Sequence, residues 1–217
     1  MKPDNILLGL HPYSDTLHII DFGLAKQYRD PRTHIHTKYQ TGLSPIGTAR
    51  YSSINAQSGF ELSRRDDIES LTYILIYFLR GSLPWQNIPG SMKTKQTLML
   101  QMKKTIKPHV LCEGLPVEFE LFLKHARKLK FEQRPNYRYL HGLVQKLLSK
   151  QEASTMDWEV AKGLAGNWPS KGEALVKMQM YVCFRLLFFC NILLFPGQNA
   201  KTPSPLNKVI YVLLVSR

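Results

Sequence analysis

Two oxygen-bearing side chains near the start of the sequence could hold a metal ion beside a phosphate group. Asn5 ends a K-P-D-N tetrapeptide, and Asp21 opens a D-F-G triplet sixteen positions later. Amide and carboxylate oxygens are hard ligands of the kind that Mg²⁺ prefers. Lys2, three positions before Asn5, adds a mobile ammonium that would neutralise charge on a transferred phosphoryl group. These residue types could hold a metal ion and balance the negative charge of a phosphate group.

Asn5 and Asp21 need a local element that brings them together. The apolar segments 6–8 and 17–20 flank the turn-rich sequence GLHPYSDT, a pattern typical of two short strands joined by a turn. Such a hairpin would place the two side chains side by side. Further along, apolar patterns predict helices over residues 67–80, 93–104, 117–129 and 137–148. The first of these is apolar on nearly all sides, which indicates a buried helix.

The order K-P-D-N and then D-F-G resembles the second half of the protein-kinase signature, in which H-R-D-L-x-x-x-N precedes D-F-G. This resemblance assigns Asn5 and Asp21 to Mg²⁺ and the phosphates of ATP, and Lys2 to the transferred group. Counting back from Asn5 would put the catalytic Asp of H-R-D one residue before Met1. We therefore expect Met1 to be an internal residue of a longer kinase, so that the chain starts inside the catalytic loop.

Three later motifs narrow the resemblance to the casein kinase I family of Ser/Thr protein kinases. They are IGTARYSSIN (46–55), SRRDDIESL (63–71) and GSLPWQ (81–86). Where most protein kinases have A-P-E, this sequence has Ser53-Ile54-Asn55, which is a hallmark of that family. The resemblance runs from Lys2 to about Lys150. The vaccinia-related and tau-tubulin kinases are the near alternatives, but RYSSIN followed by SRRDD fits them less well.

The casein kinase I resemblance implies further site residues. Thr48 matches the Thr that hydrogen-bonds the catalytic Asp. Arg50 matches the Arg of an anion site that recognises a phosphate or acidic group on the substrate, a task that suits the guanidinium fork. Lys93 and Lys95 lie where the family carries further basic residues of that site, although Gln96 occupies the second such position. The implied partners are acidic or phosphorylated protein substrates.

The same resemblance makes the helix over residues 67–80 the F helix, around which the large lobe of a kinase assembles. Asp66 is then expected to bond the backbone of the catalytic loop. Arg134 resembles the late Arg that pairs with the A-P-E glutamate, and with Asn55 at that position we expect Arg134 to face solvent or another acid. Without the kinase helix that precedes the catalytic loop, part of the F helix is expected to lose its cover, at Leu71, Ile74, Leu75 and Phe78.

Composition agrees with one globular domain and a tail. The chain has 217 residues, 44% of them apolar, and a formal net charge of +13. A basic surface attracts acidic peptides or phosphates, and nucleic-acid binding is not expected because no basic stripe interleaved with aromatic residues occurs. The three cysteines fit no metal-ligand spacing, which is consistent with reduced thiols in the cytoplasm or nucleus. The oligomeric state stays open.

The family resemblance ends near residue 150, and residues 151–217 form a tail of different composition. The tail has apolar runs at residues 180–195 and 209–215. A membrane-spanning helix needs about 20 apolar residues, whereas the first run has sixteen with Arg185 inside it, so a span is not expected. A peripheral helix packed on the lobe is one alternative. The preferred interpretation is a partly disordered segment that arises from non-coding sequence in the gene model.

The expected fold is mainly α with a small β-hairpin, the large lobe of a protein kinase over residues 1–150 with the small lobe missing. The expected function is ATP- and Mg²⁺-dependent phosphorylation of Ser or Thr in proteins. The 217 residues contain no H-R-D, no G-x-G-x-x-G and no V-A-I-K, which kinases need, so this chain itself is expected to be inactive and to bind ATP weakly or not at all. The alternative is a non-catalytic kinase remnant that binds acidic or phosphorylated partners.

Overall fold

The computed structural model describes residues 1–8, 17–150 and 211–212 of the chain. Within these ranges the structure is helix-rich and has few strands. A 3-10 turn at Pro3–Asn5 comes first. The other elements follow in chain order as β1 (Ile6–Leu8), β2 (Leu17–Ile19), β3 (Lys26–Gln27), α1 (Ile54–Gln57), α2 (Arg64–Arg80), α3 (Met92–Thr105), α4 (Pro108–Leu111), α5 (Val117–Lys128), α6 (Tyr137–Lys150) and β4 (Tyr211–Val212).

The strands form two antiparallel pairs. β1 pairs with β2, with Ile6 opposite Ile19 and Leu8 opposite Leu17. This is the predicted hairpin, and its second strand ends one residue earlier than predicted. β3 pairs with β4, with Lys26 opposite Val212. The sequence analysis did not predict this second pair, because two residues per strand carry no readable alternation.

The four predicted helices are all present. α2 begins three residues earlier than predicted because its first turn is well capped: the backbone N–H of Ser63 donates to Asp66 Oδ2 at 2.8 Å. Gly81 follows the last residue of α2. It has a left-handed φ of 76°, and its N–H donates to the carbonyl of Tyr77. Glycine reaches this conformation without strain, so it commonly follows the last residue of a helix.

α2 lies at the centre of the core. Its residues Tyr73, Ile74, Leu75 and Ile76 are completely buried, so the prediction of a helix covered on nearly all sides is confirmed. α5 packs along α2, and α6 packs on α5. The buried apolar side chains of these two outer helices include Phe119, Phe122, Leu123, Leu140, Leu143, Val144 and Leu147.

The expected loss of cover on α2 is wrong for most of the residues concerned. Leu71, Ile74 and Leu75 are buried, and Phe78 is half-buried. The physical reason is that α5 lies along α2 while Met1 and Ile6 pack against the same core. The apolar face of the central helix is therefore covered within the described part of the chain.

Residues 151–217, the predicted tail, fall outside the described residues except for Tyr211–Val212. Both apolar runs of that tail, and the alternatives weighed for them, therefore stay predictions. Among the helices of the described ranges, none combines the length and the apolar character that crossing a membrane requires.

Candidate active site

The hairpin brings Asn5 and Asp21 together as predicted. Asn5 closes the 3-10 turn before β1, and its carbonyl accepts a hydrogen bond from the N–H of Ile20 just after β2. The Asn5 Nδ2 atom donates to Asp21 Oδ2 at 3.4 Å. Asn5 is buried, whereas Asp21 is exposed. The pair therefore has one fixed member and one member open to a ligand.

Asp21 has an unusual backbone conformation. Its φ of 64° lies in the left-handed region, which Asp tolerates better than most residues but which still costs energy. The Asp21 Oδ1 atom accepts a bond from the N–H of Gly23 at 3.3 Å. Backbone strain of this kind is concentrated at functional sites. Here the conformation turns the chain sharply after β2 and leaves the carboxylate beside Asn5.

Asn5 and Asp21 fit a magnesium ion. One carboxylate and one amide oxygen are a small donor set, and Mg²⁺ in phosphoryl-transfer sites is held by one or two protein oxygens together with waters and phosphates. The described residues contain no group of three or more His, Cys, Asp or Glu side chains arranged so that it could hold a metal ion. Lys2 precedes the turn, is half-buried, and accepts a bond from the Asn5 N–H through its carbonyl.

Thr48 lies in the loop of residues 46–53, which runs past the start of the chain. Its carbonyl accepts bonds from the N–H groups of Tyr51 and Ser52, at 2.9 and 3.0 Å, so the loop makes a tight turn. Thr48 and Met1 line the same small cavity of about 20 Å³, which has room for about one water molecule. Thr48 thus lies near the predicted catalytic loop.

An open groove of about 240 Å³ separates the 46–53 loop from α3; we call it the loop–α3 groove. From α3, Lys93, Gln96, Thr97 and Leu100 line it, in the three- and four-residue spacing of one helix face. From the loop side the lining residues are Pro45, Ile46, Gly47, Ala49, Ser52 and, in α1, Gln57.

The three residues predicted for the anion site are not all brought together. Lys93 lines the groove, but Lys95 is half-buried and does not, because residues two apart on a helix face different ways. Arg50 is exposed outside the groove lining, with its guanidinium over the ring of Tyr51 at 5.8 Å. Its carbonyl accepts a bond from Trp85 Nε1 at 2.8 Å. The helical spacing of 93 and 95 could have shown this separation from the sequence.

Asp66 was expected to bond the backbone of the catalytic loop, but within the described residues its hydrogen bonds go to residues 53, 55 and 63. Its Oδ1 atom accepts bonds from Ser53 Oγ at 2.8 Å and from Asn55 Nδ2 at 2.9 Å. Asp66 and the next residue, Asp67, both line the small cavity with Met1. Asp66 ties the end of the 46–53 loop to α2.

A second buried acid, Glu69, also supports this segment, and the sequence analysis missed it. Glu69 Oε1 accepts bonds from Tyr73 Oη at 2.5 Å and from the Ile54 N–H at 3.4 Å. Arg127 Nε lies 3.7 Å from the same oxygen. Burial raises the pKa of the Glu69 carboxyl, while the bond from Tyr73 and the charge of Arg127 oppose that rise. Arg134 is exposed, as predicted.

Lys103 is the second functional candidate that the sequence analysis missed. It is completely buried, and its Nζ atom donates to the carbonyls of Ala49 at 2.6 Å and Ser52 at 2.7 Å. Burial lowers the pKa of Lys103 to about 7, although the Glu69 carboxylate acts in the opposite direction. Its burial was hard to predict from the sequence, because α3 contains four lysines and lysine side chains in proteins are mostly exposed.

Among models of protein families, the one that describes the protein kinase domain matches residues 1–163 of the 217-residue chain. The match spans the Asn5–Asp21 pair, the 46–53 loop, the loop–α3 groove and helices α1 to α6.

Proposed function

Because the chain belongs to the protein kinase domain family, we propose that it serves casein kinase I-like phosphoryl transfer from ATP to Ser or Thr of acidic or already phosphorylated proteins. The observation that carries the proposal is the Asn5–Asp21 pair, which places an amide beside an exposed carboxylate at the end of a hairpin. Such a pair suits a metal ion and the phosphates of a nucleotide.

The roles of the residues follow from their chemistry. Asp21 and Asn5 would hold Mg²⁺, which when bound neutralises phosphate charge and aligns the phosphates for transfer. The buried amide of Asn5 keeps the exposed Asp21 carboxylate in place. Lys2 lies on the same turn and would offer its ammonium to the transferred group. Thr48 lies on the neighbouring loop. It would hydrogen-bond and orient the catalytic Asp of a kinase, which receives the proton of the substrate hydroxyl.

The Ser53-Ile54-Asn55 sequence supports a casein kinase I-like subtype. In kinases with A-P-E, a Glu at the last position pairs with a late Arg. Here the Asn55 amide and the Ser53 hydroxyl bond the buried Asp66, and Arg127 rather than Arg134 meets a buried acid. The segment is thus held by a set of contacts that needs no Glu at residue 55.

The proposed substrate class follows from charge. Lys93 is the charged residue in the lining of the loop–α3 groove, and Arg50 is exposed on the same 46–53 loop. Both are cations on a chain of net charge +13. Phosphate groups and acidic side chains complement such a surface. Lys95 does not line the groove. It would add to the positive potential around the groove without touching the bound anion.

A peptide-binding experiment tests the substrate class. We expect a phosphorylated acidic peptide to bind the full 217-residue chain more tightly than its unphosphorylated form, as measured by fluorescence anisotropy. Arg50→Ala should reduce that preference. Arg134→Ala removes an equally exposed guanidinium outside the 46–53 loop and should leave it unchanged. Equal binding of both peptides, or equal effects of both substitutions, would show that the surface merely attracts negative charge.

A metal-binding experiment tests the kinase chemistry. Mn²⁺ should broaden the backbone NMR signals of residues near Asn5 and Asp21, because a paramagnetic ion held there relaxes nearby nuclei. Asp21→Asn should abolish the broadening. Asp30→Asn is the matched control, since Asp30 is an exposed acid that caps the turn at 30–33 through backbone N–H groups. Broadening that survives Asp21→Asn would remove the basis of the proposal.

We further propose that a polypeptide of these 217 residues alone shows no measurable phosphoryl transfer, since it contains no H-R-D, G-x-G-x-x-G or V-A-I-K sequence. Mg²⁺-dependent turnover that Asp21→Ala abolishes would overturn this point. The second candidate function is a non-catalytic module that binds acidic or phosphorylated partners. The presence of Arg50 and Lys93 without those three motifs favours it, and phosphopeptide binding without Mn²⁺ binding would select it.

A further inference from the structure

Lys103 differs from the other lysines of α3. Lys93 and Lys104 are exposed and Lys95 is half-buried, whereas Lys103 has no exposed surface. Burying an ammonium is unfavourable unless its donors find acceptors. Within the described part of the chain, no carboxylate lies within 4.0 Å of Lys103, so its donors are not used in an ion pair.

The acceptors of Lys103 are backbone atoms of the 46–53 loop. The Nζ atom bonds the carbonyls of Ala49 and Ser52, three residues apart in the loop's tight turn. The ammonium also lies 5.1 Å from the centre of the Tyr73 ring and 5.2 Å from that of Trp85. These distances are within the range of cation–π attraction.

The carbonyls held by Lys103 belong to residues that form the groove wall. Ala49 and Ser52 both line the loop–α3 groove, while Lys103 itself reaches them from the buried side of α3. Trp85, which packs against the same ammonium, bonds the carbonyl of Arg50 between them. Three of the four backbone carbonyls between Ala49 and Ser52 thus accept a bond from a buried side chain.

We propose that Lys103 is the positioning residue of the loop–α3 groove: by bonding the carbonyls of Ala49 and Ser52 it sets the path of the 46–53 loop and thereby the affinity for a phosphorylated peptide. The claim about peptide affinity rests on the proposed function, whereas the claim that Lys103 sets the path of the loop does not. Lys103 touches no peptide and acts through the loop backbone.

The test replaces Lys103 by Met in the full chain, which keeps an unbranched side chain and removes the donors. The amides of Tyr51 and Ser52 both donate to the Thr48 carbonyl, so their hydrogen exchange reports the loop turn. We expect this exchange to accelerate at least tenfold, because Met removes both bonds to the loop and one charge-assisted hydrogen bond alone corresponds to about a factor of ten. The indole N–H signal of Trp85 should shift as well, since its acceptor lies in the same loop.

Lys104→Met is the matched control, because Lys104 is the exposed neighbour on the same helix. It should change neither the exchange nor the Trp85 signal. Amides inside α5 should keep their exchange rates in both variants. Unchanged exchange at Tyr51 and Ser52, or equal acceleration in α5, would overturn the inference. Should Lys103→Met fail to fold, Lys103→Gln, which keeps a donor on a shorter side chain, takes its place with the same criteria.

Peptide binding separates this inference from the proposed function. If the wild-type chain binds the phosphorylated peptide, Lys103→Met should weaken that binding about tenfold, in step with the loop exchange. Equal binding despite a faster-exchanging loop would overturn the positioning role. If the wild-type chain does not bind the peptide, the proposed substrate class fails, and the exchange measurement alone decides whether Lys103 holds the loop.

Discussion

Replacing Asp66 by Ala tests how the 46–53 loop is anchored. Asp66 is 3% exposed. It accepts bonds from Ser53 Oγ, Asn55 Nδ2 and the backbone N–H of Ser63, at 2.8, 2.9 and 2.8 Å. Two of these donors end the loop and begin α1, and the third begins α2. One side chain therefore joins three segments.

The expected loss of stability follows from these three bonds. A hydrogen bond to a charged acceptor contributes about 1.5–3 kcal/mol, and loss of a helix cap costs about 1 kcal/mol. Taking the lower value for the bonds from Ser53 and Asn55 and adding the cap gives about 4 kcal/mol. This is a large part of the ~5–15 kcal/mol by which domains are stable. Removing Asp66 also leaves buried donors without acceptors, which acts in the same direction.

Urea unfolding followed by far-UV circular dichroism measures this loss. Glu132→Ala removes an exposed acid and should change the free energy of unfolding by less than ~0.5 kcal/mol. Asn55→Ala combined with Asp66→Ala in a double-mutant cycle should show a coupling of about 1 kcal/mol or more. If Asp66→Ala costs less than ~1 kcal/mol, or if the coupling is absent, Asp66 does not anchor the loop and the reasoning fails.

Three further predictions concern stability. Because burial lowers the Lys103 pKa to about 7 from 10.5, the unfolded chain binds more protons between these values. The free energy of unfolding should therefore rise with pH across that window by up to ~1.4 kcal/mol per pH unit, and pH-dependent urea titrations of Lys103→Met should lack that rise. Gly59→Ala should cost about 3 kcal/mol in thermal and urea unfolding, because its φ is +71° and a Cβ would overlap a backbone oxygen; Gly42→Ala, with φ +75° and open space, should cost about 1 kcal/mol, and equal losses would contradict the overlap. Arg127→Lys should cost about 2–4 kcal/mol by the same assay, because a single ammonium cannot keep the guanidinium's bonds to the carbonyls of Ile106 and Lys103 and to Tyr73 Oη; Arg134→Lys is the exposed control, and equal effects would refute the assignment.

The local part of the site could be predicted from the sequence. Asn5 and Asp21 lie at the two ends of one short hairpin, so the alternation of apolar and turn residues suffices to bring them together. The apolar content of residues 67–80 likewise predicted a buried central helix. Both features depend on neighbours within about twenty positions, where periodicity is a reliable signal.

The support of the 46–53 loop could not be predicted in the same way. Lys103, Glu69 and Arg127 come from three different helices. Lys103 bonds Ala49 across 54 positions and Glu69 bonds Ile54 across 15, while Arg127 acts through its ion pair with Glu69. In a sequence each of these charges reads as a solvent-exposed residue. The partners of Asp66 were not predicted either, because its donors Ser53 and Asn55 lie 13 and 11 positions earlier, outside any one periodic segment.

The buried position of Asp66 has a consequence for experiments that vary ionic strength. Dissolved ions screen exposed charges over about 8 Å at physiological salt but act much less on buried ones. Arg50 and Lys93 are exposed, whereas Asp66 and its donor Ser53 are not. Added salt should therefore weaken the attraction of the loop–α3 groove for an anion while leaving the frame of the loop in place. Varying the salt concentration therefore separates the effect of the surface charges on anion binding from the effect of the loop conformation.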